Sequence, residues 1–333
     1  MTRARWVRAM AMLTLVALAA AVAGVLLGAE PLPPGALFTD EPTMRLILRM
    51  RLSQVALAAL VGAALGLSGA GLQALVENPL ADPFVLGLSG GAAVGATVAI
   101  ALGLGGVGLF GASVVGVCAF AGALVATAVV FALGRVHGRL VPERLLLVGV
   151  VFNAFASAII LAVQSFVSPG TLQSLMTWLL GSIGHVPAGT LALAAAAVAG
   201  AAGLLVRVAP GLNLLSMGEV DAHALGLDVS RTRRVVFVAS ALLVAAAVSL
   251  AGVIGFVGLI VPHLVRMAFG GDHRLVVPAS LLAGASFVVA SDLGARLFFR
   301  VAHTLPPVGM VTALVGSPLF LHLLVRRARR SER

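Results

Sequence analysis

Residues 72–91 read LQALVENPLADPFVLGLSGG. Two prolines, an asparagine, a glutamate and an aspartate interrupt a chain that is almost unbroken hydrocarbon on either side. The flanking apolar runs are each long enough to cross a membrane, because ~20 residues at 1.5 Å per residue span a bilayer core. The knot therefore predicts a turn between two crossings. Pro79 ends the first helix, since the residue before a proline avoids helical geometry. Asp82 followed by Pro83 starts the next, with an acceptor at the cap and proline in the first turn. The turn motif Asn78, Pro79, Asp82, Pro83 is expected on the cytoplasmic side, where unpaired backbone groups can meet water.

Outward from the knot the same pattern repeats. The 333 residues are 60% hydrophobic and 10% charged, against roughly a quarter charged in soluble domains. Ten spans are predicted, at 7–28, 52–76, 86–108, 112–133, 145–167, 187–207, 235–253, 254–270, 276–299 and 307–325. The first, although preceded by Arg3, Arg5 and Arg8, is too long for a cleaved signal and reads as a retained helix. The fold class is all-α, a polytopic membrane protein with about ten transmembrane helices in one domain, residues 1–333.

Every basic residue is arginine, and their placement sets the orientation. With both termini in the cytoplasm, only Arg45, Arg49, Arg51, Arg296 and Arg300 fall outside. The net charge of +10 is thus explained by topology, and nucleic acid is no partner. The absence of lysine excludes a phosphate-binding loop of the GxxxxGK[ST] type, so any ATP that drives this chain is hydrolysed by another. The single Cys118 forms no internal disulfide. Residues 51–79 lie without gaps on 234–262, pairing Arg51 with Arg234, Leu67 with Leu250, Gly69 with Gly252 and Pro79 with Pro262. The two copies run in opposite directions across the membrane, an inverted repeat of the transporter kind.

Four constellations stand out. In SMGEVDAHALGLDVSRTRR, 216–234, Val220, Ala224 and Leu225 share one side of a short helix whose N-terminus favours Glu219 and Asp221. Gly226 suits its C-cap, and Asp228 or Ser230 caps the helix that follows. This is either a knob for a partner's groove or a helix resting on the protein's own base. In span five, Asn153, Ser157 and Gln164 fall within about 40° of each other, lining a path or bonding to a neighbouring helix. Arg51 and Arg296 at the outer ends of spans two and nine either receive acids of a soluble partner or anchor at the interface. Asp292, four residues before Arg296, is positioned to pair with it. GLSG occurs at 66–69 and 87–90, but Ser68 and Ser89 sit among Gly62, Gly66, Gly69 and Gly71, a packing rather than a protease pattern. His185 and His303 lie near the outer mouth, and no metal site is assigned to them.

These stretches together resemble a family. The chain is similar to the permease subunits of binding-protein-dependent ABC importers for iron–siderophores, haem and vitamin B12. The likeness is carried by LVGAALGLSGAGLQALVENPLADPFVLGLSGGAA (60–93), PERLLLVG (142–149), ALGLDVSRTR (224–233), GFVGLIVPHLVR (255–266), GDHRLVVPASLLAGASFVVASDLGAR (271–296) and LPPVGMVTALVGSPLFLHLL (305–324). The resemblance implies a type II ABC importer permease fold, a second copy of the chain and two cytoplasmic ATP-binding subunits. It also implies a periplasmic or lipid-anchored substrate-binding protein, and a place in the bacterial inner membrane. It implies no cofactor on this chain, ATP and magnesium being used by the partner. Asn153, Ser157 and Gln164 match the family's path helix. The coupling segment, within 216–231, matches at Gly218, Glu219, Ala222, Leu225, Gly226 and Leu227, and the docking arginines at Arg51 and Arg296. The family's RLPR is RLSQ here, Arg51 to Gln54, so one docking arginine is missing. Transport would be by alternating access to a siderophore, haem or vitamin B12, with no chemistry on the cargo. The rival is an ion-coupled secondary transporter, disfavoured because the acids cluster in loops and at span ends, Asp292 being the deepest.

Overall fold

The computed structural model describes residues 2–28, 41–106 and 112–331, with side chains through His322. Its helices are α1 (Arg3–Leu26), α2 (Pro42–Leu75), α3 (Leu88–Ala101), α4 (Val114–Leu133), α5 (Pro142–Gln164), α6 (Pro169–Leu179), α7 (Ala188–Leu215), α8 (Glu219–Ala224), α9 (Val229–Ala251), α10 (Val257–Phe269), α11 (His273–Ala302) and α12 (Val308–Ser331). A two-stranded hairpin, β1 (Arg135–Val136) and β2 (Arg139–Leu140), joins α4 to α5. Among the described residues seven helices are long and apolar enough to cross a membrane, and α3, α10 and the apolar part of α12 are shorter. These ten elements correspond in order to the ten predicted spans. The tail arginines through Arg330 continue α12, and Arg333 lies outside the described residues.

Two helices are additional. The short α8 falls where the 216–234 segment predicts one. The other, α6, was not foreseen, although its start was readable: Ser168 accepts from the Thr171 N–H at the cap and Pro169 occupies the first turn. The seventh and eighth spans part at Gly252, whose φ of 70° ends α9 in a conformation that favours glycine.

The centre of the bundle is α2, packed on α7, α9, α10 and α11. Lipid tails are as apolar as leucine, so helices in a bilayer gain by close contact rather than by escaping solvent. The small residues supply that contact. A Cβ on Gly62 would strike the Gly284 carbonyl of α11, and one on Gly69 would strike the Gly258 carbonyl of α10. Gly91 and Gly122 bring α3 and α4 together in the same way. Ser68 is fully buried here and donates its hydroxyl proton to the Ser240 carbonyl at 3.1 Å. Its GLSG is therefore helix packing.

The packing has an internal exchange symmetry. Replace α2, α3, α4, α5 by α9, α10, α11, α12, and each neighbour pair maps onto another. The pair α2–α11 maps onto α9–α4, α3–α4 onto α10–α11, α10–α2 onto α3–α9, and α2–α9 onto itself. Glu77, just past the end of α2, meets Arg233 at the start of α9, so the two run antiparallel. The inverted repeat is thus present at the level of helices. Its residue register is not the gapless one: Gly69 lies inside α2 while Gly252 terminates α9, and Pro79 lies in a turn while Pro262 is inside α10.

Candidate functional site

The polar knot folds differently from the expected cap. α2 stops at Leu75, four residues before Pro79, and α3 begins at Leu88, five after Pro83. The residues between form successive turns. The Leu80 N–H donates to Asn78 Oδ1 at 2.9 Å, the Phe84 N–H donates to Asp82 Oδ1 at 2.8 Å, and Gly87 enters α3 with φ of 81°. The knot is part exposed and part buried: Glu77, Leu80 and Val85 are exposed. Ala81, Asp82 and Leu86 are buried, with Pro83 against Gly258 of α10 and Leu86 against Gly149 of α5. The turns and the two short polar side chains satisfy part of the knot's backbone.

Burial pushes the Asp82 carboxyl up to about 6 from 3.8, against the Phe84 N–H, which pulls it down. Between those values the folded chain holds a proton that the unfolded chain has released, so stability falls as pH rises through this window. Asp82→Asn keeps an oxygen for the Phe84 N–H and removes the titration. We expect it to be more stable than wild type at pH 8, by up to about 3 kcal/mol, and equal to it near pH 4. Thermal unfolding of the detergent-solubilised protein at both pH values checks this, and parallel profiles would refute it.

Asn153 on α5 is tied to the knot, its amide donating to the Phe84 carbonyl at 2.6 Å. Ser157 is exposed and Gln164 half-buried. The polar stripe therefore straddles an edge. Asn153 bonds helix to turn, while Ser157 opens onto a broad uncovered face with Val150, Val151, Phe155 and Leu161.

The coupling segment takes the expected form of a short helix, α8, followed by a capped start of α9. Gly226, at φ 86°, closes α8 with Leu227 N–H donating to the Ala222 carbonyl, a left-handed C-terminal cap. Asp228, not Ser230, caps α9, accepting from the Arg231 N–H at 2.9 Å. Val220 and Leu225 are 82% and 61% exposed, with Ala224 beside them, so this side faces away from the protein. Ala222, by contrast, is 0% exposed and roots α8 between Leu215 of α7 and Val229 of α9, with Leu227 partly buried on them. Glu219 is not a free surface charge, because it pairs with Arg233 at 2.8 Å. Within the coupling segment Glu219 is therefore a bridge, Ala222 a root and Leu225 part of an outward face. Gly218, with φ of 110°, is the hinge through which the chain leaves α7.

The arginines at the opposite end are also placed otherwise. Arg296 is buried. It pairs with Asp292 at 2.8 Å and donates to the Gly24 carbonyl at 2.9 Å. Arg51 is half-buried and donates to the Val25 carbonyl at 3.2 Å, and the Arg300 Nε donates to the Gly28 carbonyl at 2.8 Å. All three meet the end of α1, where the last carbonyls of a helix have no partner in the helix itself and carry partial negative charge. Arg296 thereby braces α11 against α1. His185 is exposed, and His303 terminates α11 with φ of 53°.

At the α8 end lies a cavity of about 670 Å³, lined among others by Glu77, His137, Arg139, Glu143, Glu219 and Arg233. The hairpin forms one wall, and the knot and α8 form the other.

The chain matches the FecCD transport family over residues 13–326. It is 42% identical over 296 residues to the cobalamin import system permease BtuC of Halobacterium salinarum, covering 87% of this chain and 76% of that one. It is 39% identical over 322 residues to the vitamin B12 import system permease BtuC of Klebsiella pneumoniae, covering 97% and 94%. Its structure resembles that of a metal-chelate type ABC transporter solved in an inward-facing conformation, with a TM-score of 0.83 and 30% identity over 96% of this chain and 99% of that one.

Proposed function

The chain belongs to the FecCD transport family and is the multi-pass membrane permease of a binding-protein-dependent ABC importer, and on that premise we propose that its cargo is a cobalamin. The carrying observation is the identity of 42% and 39% to two cobalamin permeases, against 30% to the metal-chelate transporter. An iron chelate, siderophore or haem, is the second reading, favoured by the structural likeness to that transporter.

A permease of this kind works with ATPase and substrate-binding partners and does no chemistry itself. We place the α8 end in the cytoplasm of a bacterial inner-membrane protein. Both termini leave the bundle there, most arginines lie there, and ATP is available only on that side. Two ATP-binding subunits, which use the ATP and magnesium, would take Val220 and Leu225 of each of two permease copies into an apolar groove. The uncovered face of α5 with Ser157 would meet the second copy or line the path between them. Closing of the ATPases on ATP would move α8, and with it the helix ends it is rooted in, opening and closing the path on alternate sides.

Expression with its ATPase and binding protein in cells unable to import cobalamin should restore uptake of labelled cobalamin. Val220→Asp with Leu225→Asp should abolish both uptake and recovery of the ATPase subunits. Uptake of a ferric siderophore or haem but not cobalamin would transfer the cargo to the second reading. Uptake that needs an ion gradient but no ATP would overturn the importer.

A further inference from the structure

The α8 end contains a buried guanidinium that nothing above requires. The Arg233 side chain, on the second turn of α9, is 8% exposed. Its Nη1 pairs with Glu219 of α8 at 2.8 Å, and its Nη2 pairs with Glu77, just past α2, at 3.4 Å. One planar fork thus joins α8, α9 and the distant end of α2, a geometry that lysine cannot reproduce.

Glu77 marks this contact as more than a chance surface pair. α2 ends in the same left-handed cap as α8: the Asn78 N–H donates to the Gln73 carbonyl, and the residue between helix and exit has positive φ. In α8 that residue is Gly226, as backbone sterics prefer. In α2 it is Glu77, at φ 53°. A side chain in the left-handed region is strained, and the strain persists where the surroundings hold it. Here what glycine lacks is the carboxylate that reaches Arg233.

From Glu77 the connection continues. The knot that follows carries the Phe84 carbonyl, which holds Asn153 of α5 at 2.6 Å. On the other flank, Glu77, Glu219 and Arg233 all line the 670 Å³ cavity, so space adjoins the bridge on the hairpin side. We propose that the Glu219–Arg233–Glu77 bridge is the clasp that transmits movement of α8 to the α2–α3 turn, and through the Phe84–Asn153 hydrogen bond to α5. Arg233 is a positioning residue. It touches neither cargo nor nucleotide, and it acts by making α8, α9 and the knot move together.

The inference rests on the importer reading, and its test is cargo transport by the complete complex in proteoliposomes, read as ATP hydrolysed per cargo molecule. Glu77→Gly is the decisive variant, since it relieves the left-handed strain while deleting the carboxylate. It should unfold at a higher temperature than wild type, keep its ATPase subunits, and hydrolyse roughly two- to fivefold more ATP per cargo, the factor carried by a partly exposed ion pair. Arg233→Lys, which keeps the charge but not the fork, should raise the ratio likewise, and combining the two should add little. An unchanged ratio in Glu77→Gly overturns the clasp, as does a loss of uptake that merely tracks the amount of folded protein. A wild-type complex without cargo-stimulated hydrolysis would instead refute the importer reading, and this inference with it.

Discussion

Gly62→Ala should destabilise the protein by about 3 kcal/mol or more, beyond the usual range for overpacking because the atoms in the way are backbone. The added Cβ would land on the Gly284 carbonyl, with the Cβ of Val288 at 2.9 Å as its third neighbour. A flexible side chain could swing aside, but here the whole of α11 must withdraw from α2. Gly284→Ala meets the Gly62 carbonyl from the other side and should cost as much, with the double variant no worse than additive. Gly200→Ala and Gly203→Ala in α7 are the controls. A Cβ at either has nothing within 4 Å, and alanine suits a helix better than glycine by about 1 kcal/mol, so these should be neutral or mildly stabilising. The measurement is the thermal midpoint of the detergent-solubilised protein, with the fraction recovered as monodisperse material. Equal midpoints for the α2 and α7 variants would mean that the helices are not in contact as described.

That contact shows what the sequence can and cannot convey. The glycines at 62, 66 and 69 announce a helix that other helices approach closely, because small residues at that spacing have little other use in hydrocarbon. They do not say which helix approaches: Gly284 lies 222 residues from Gly62. The ten crossings were legible for a similar reason, since apolar length is a local property. α6 was passed over because it is too short to cross and lies between two crossings. The prolines of the knot misplaced both helix ends: a proline forbids helix at certain positions but does not require helix up to them. Residues 76–78 and 84–87 are turns that the proline rule leaves open.

The site divides along the same line. Gly226 as a cap and the shared side of Val220 and Leu225 follow from local periodicity, and the structure turns that side outward. What periodicity leaves open is which face a helix turns inward, and the structure shows Ala222 of the coupling segment to be the root. The Arg233 bridge spans 14 residues to Glu219 and 156 to Glu77. The first partner is near enough to be guessed, the second is not. The Asp292–Arg296 pair was legible at four residues' spacing. Its burial was not, because it depends on α1 arriving from the far end of the chain.

Arg296→Met should cost about 3–5 kcal/mol, the range for stripping one partner from a buried ion pair. The loss arises from what is left behind. Asp292 is left without its partner with 5% of its side chain exposed, and the Gly24 carbonyl loses its donor. Pairing the substitution with Asp292→Leu removes the stranded carboxylate, and the double variant should recover most of the loss, leaving about 1–2 kcal/mol for the Gly24 carbonyl. Thermal midpoints of the two variants decide it: a double variant as unstable as Arg296→Met would show that the carboxylate was not the source. The result bears on docking as well. Arg296→Glu sets a second carboxylate beside Asp292 inside the protein, so the fold fails before any encounter with a partner is weakened. A charge that receives a binding protein must stand in solvent, as Arg49 does at the same end of α2. Arg49→Glu should therefore weaken binding-protein affinity at low salt with no change in thermal midpoint. If Arg296→Glu were instead to fold normally and lose only affinity, its guanidinium would have to leave α1 when the partner arrives, and the pair with Asp292 would be a latch rather than an anchor.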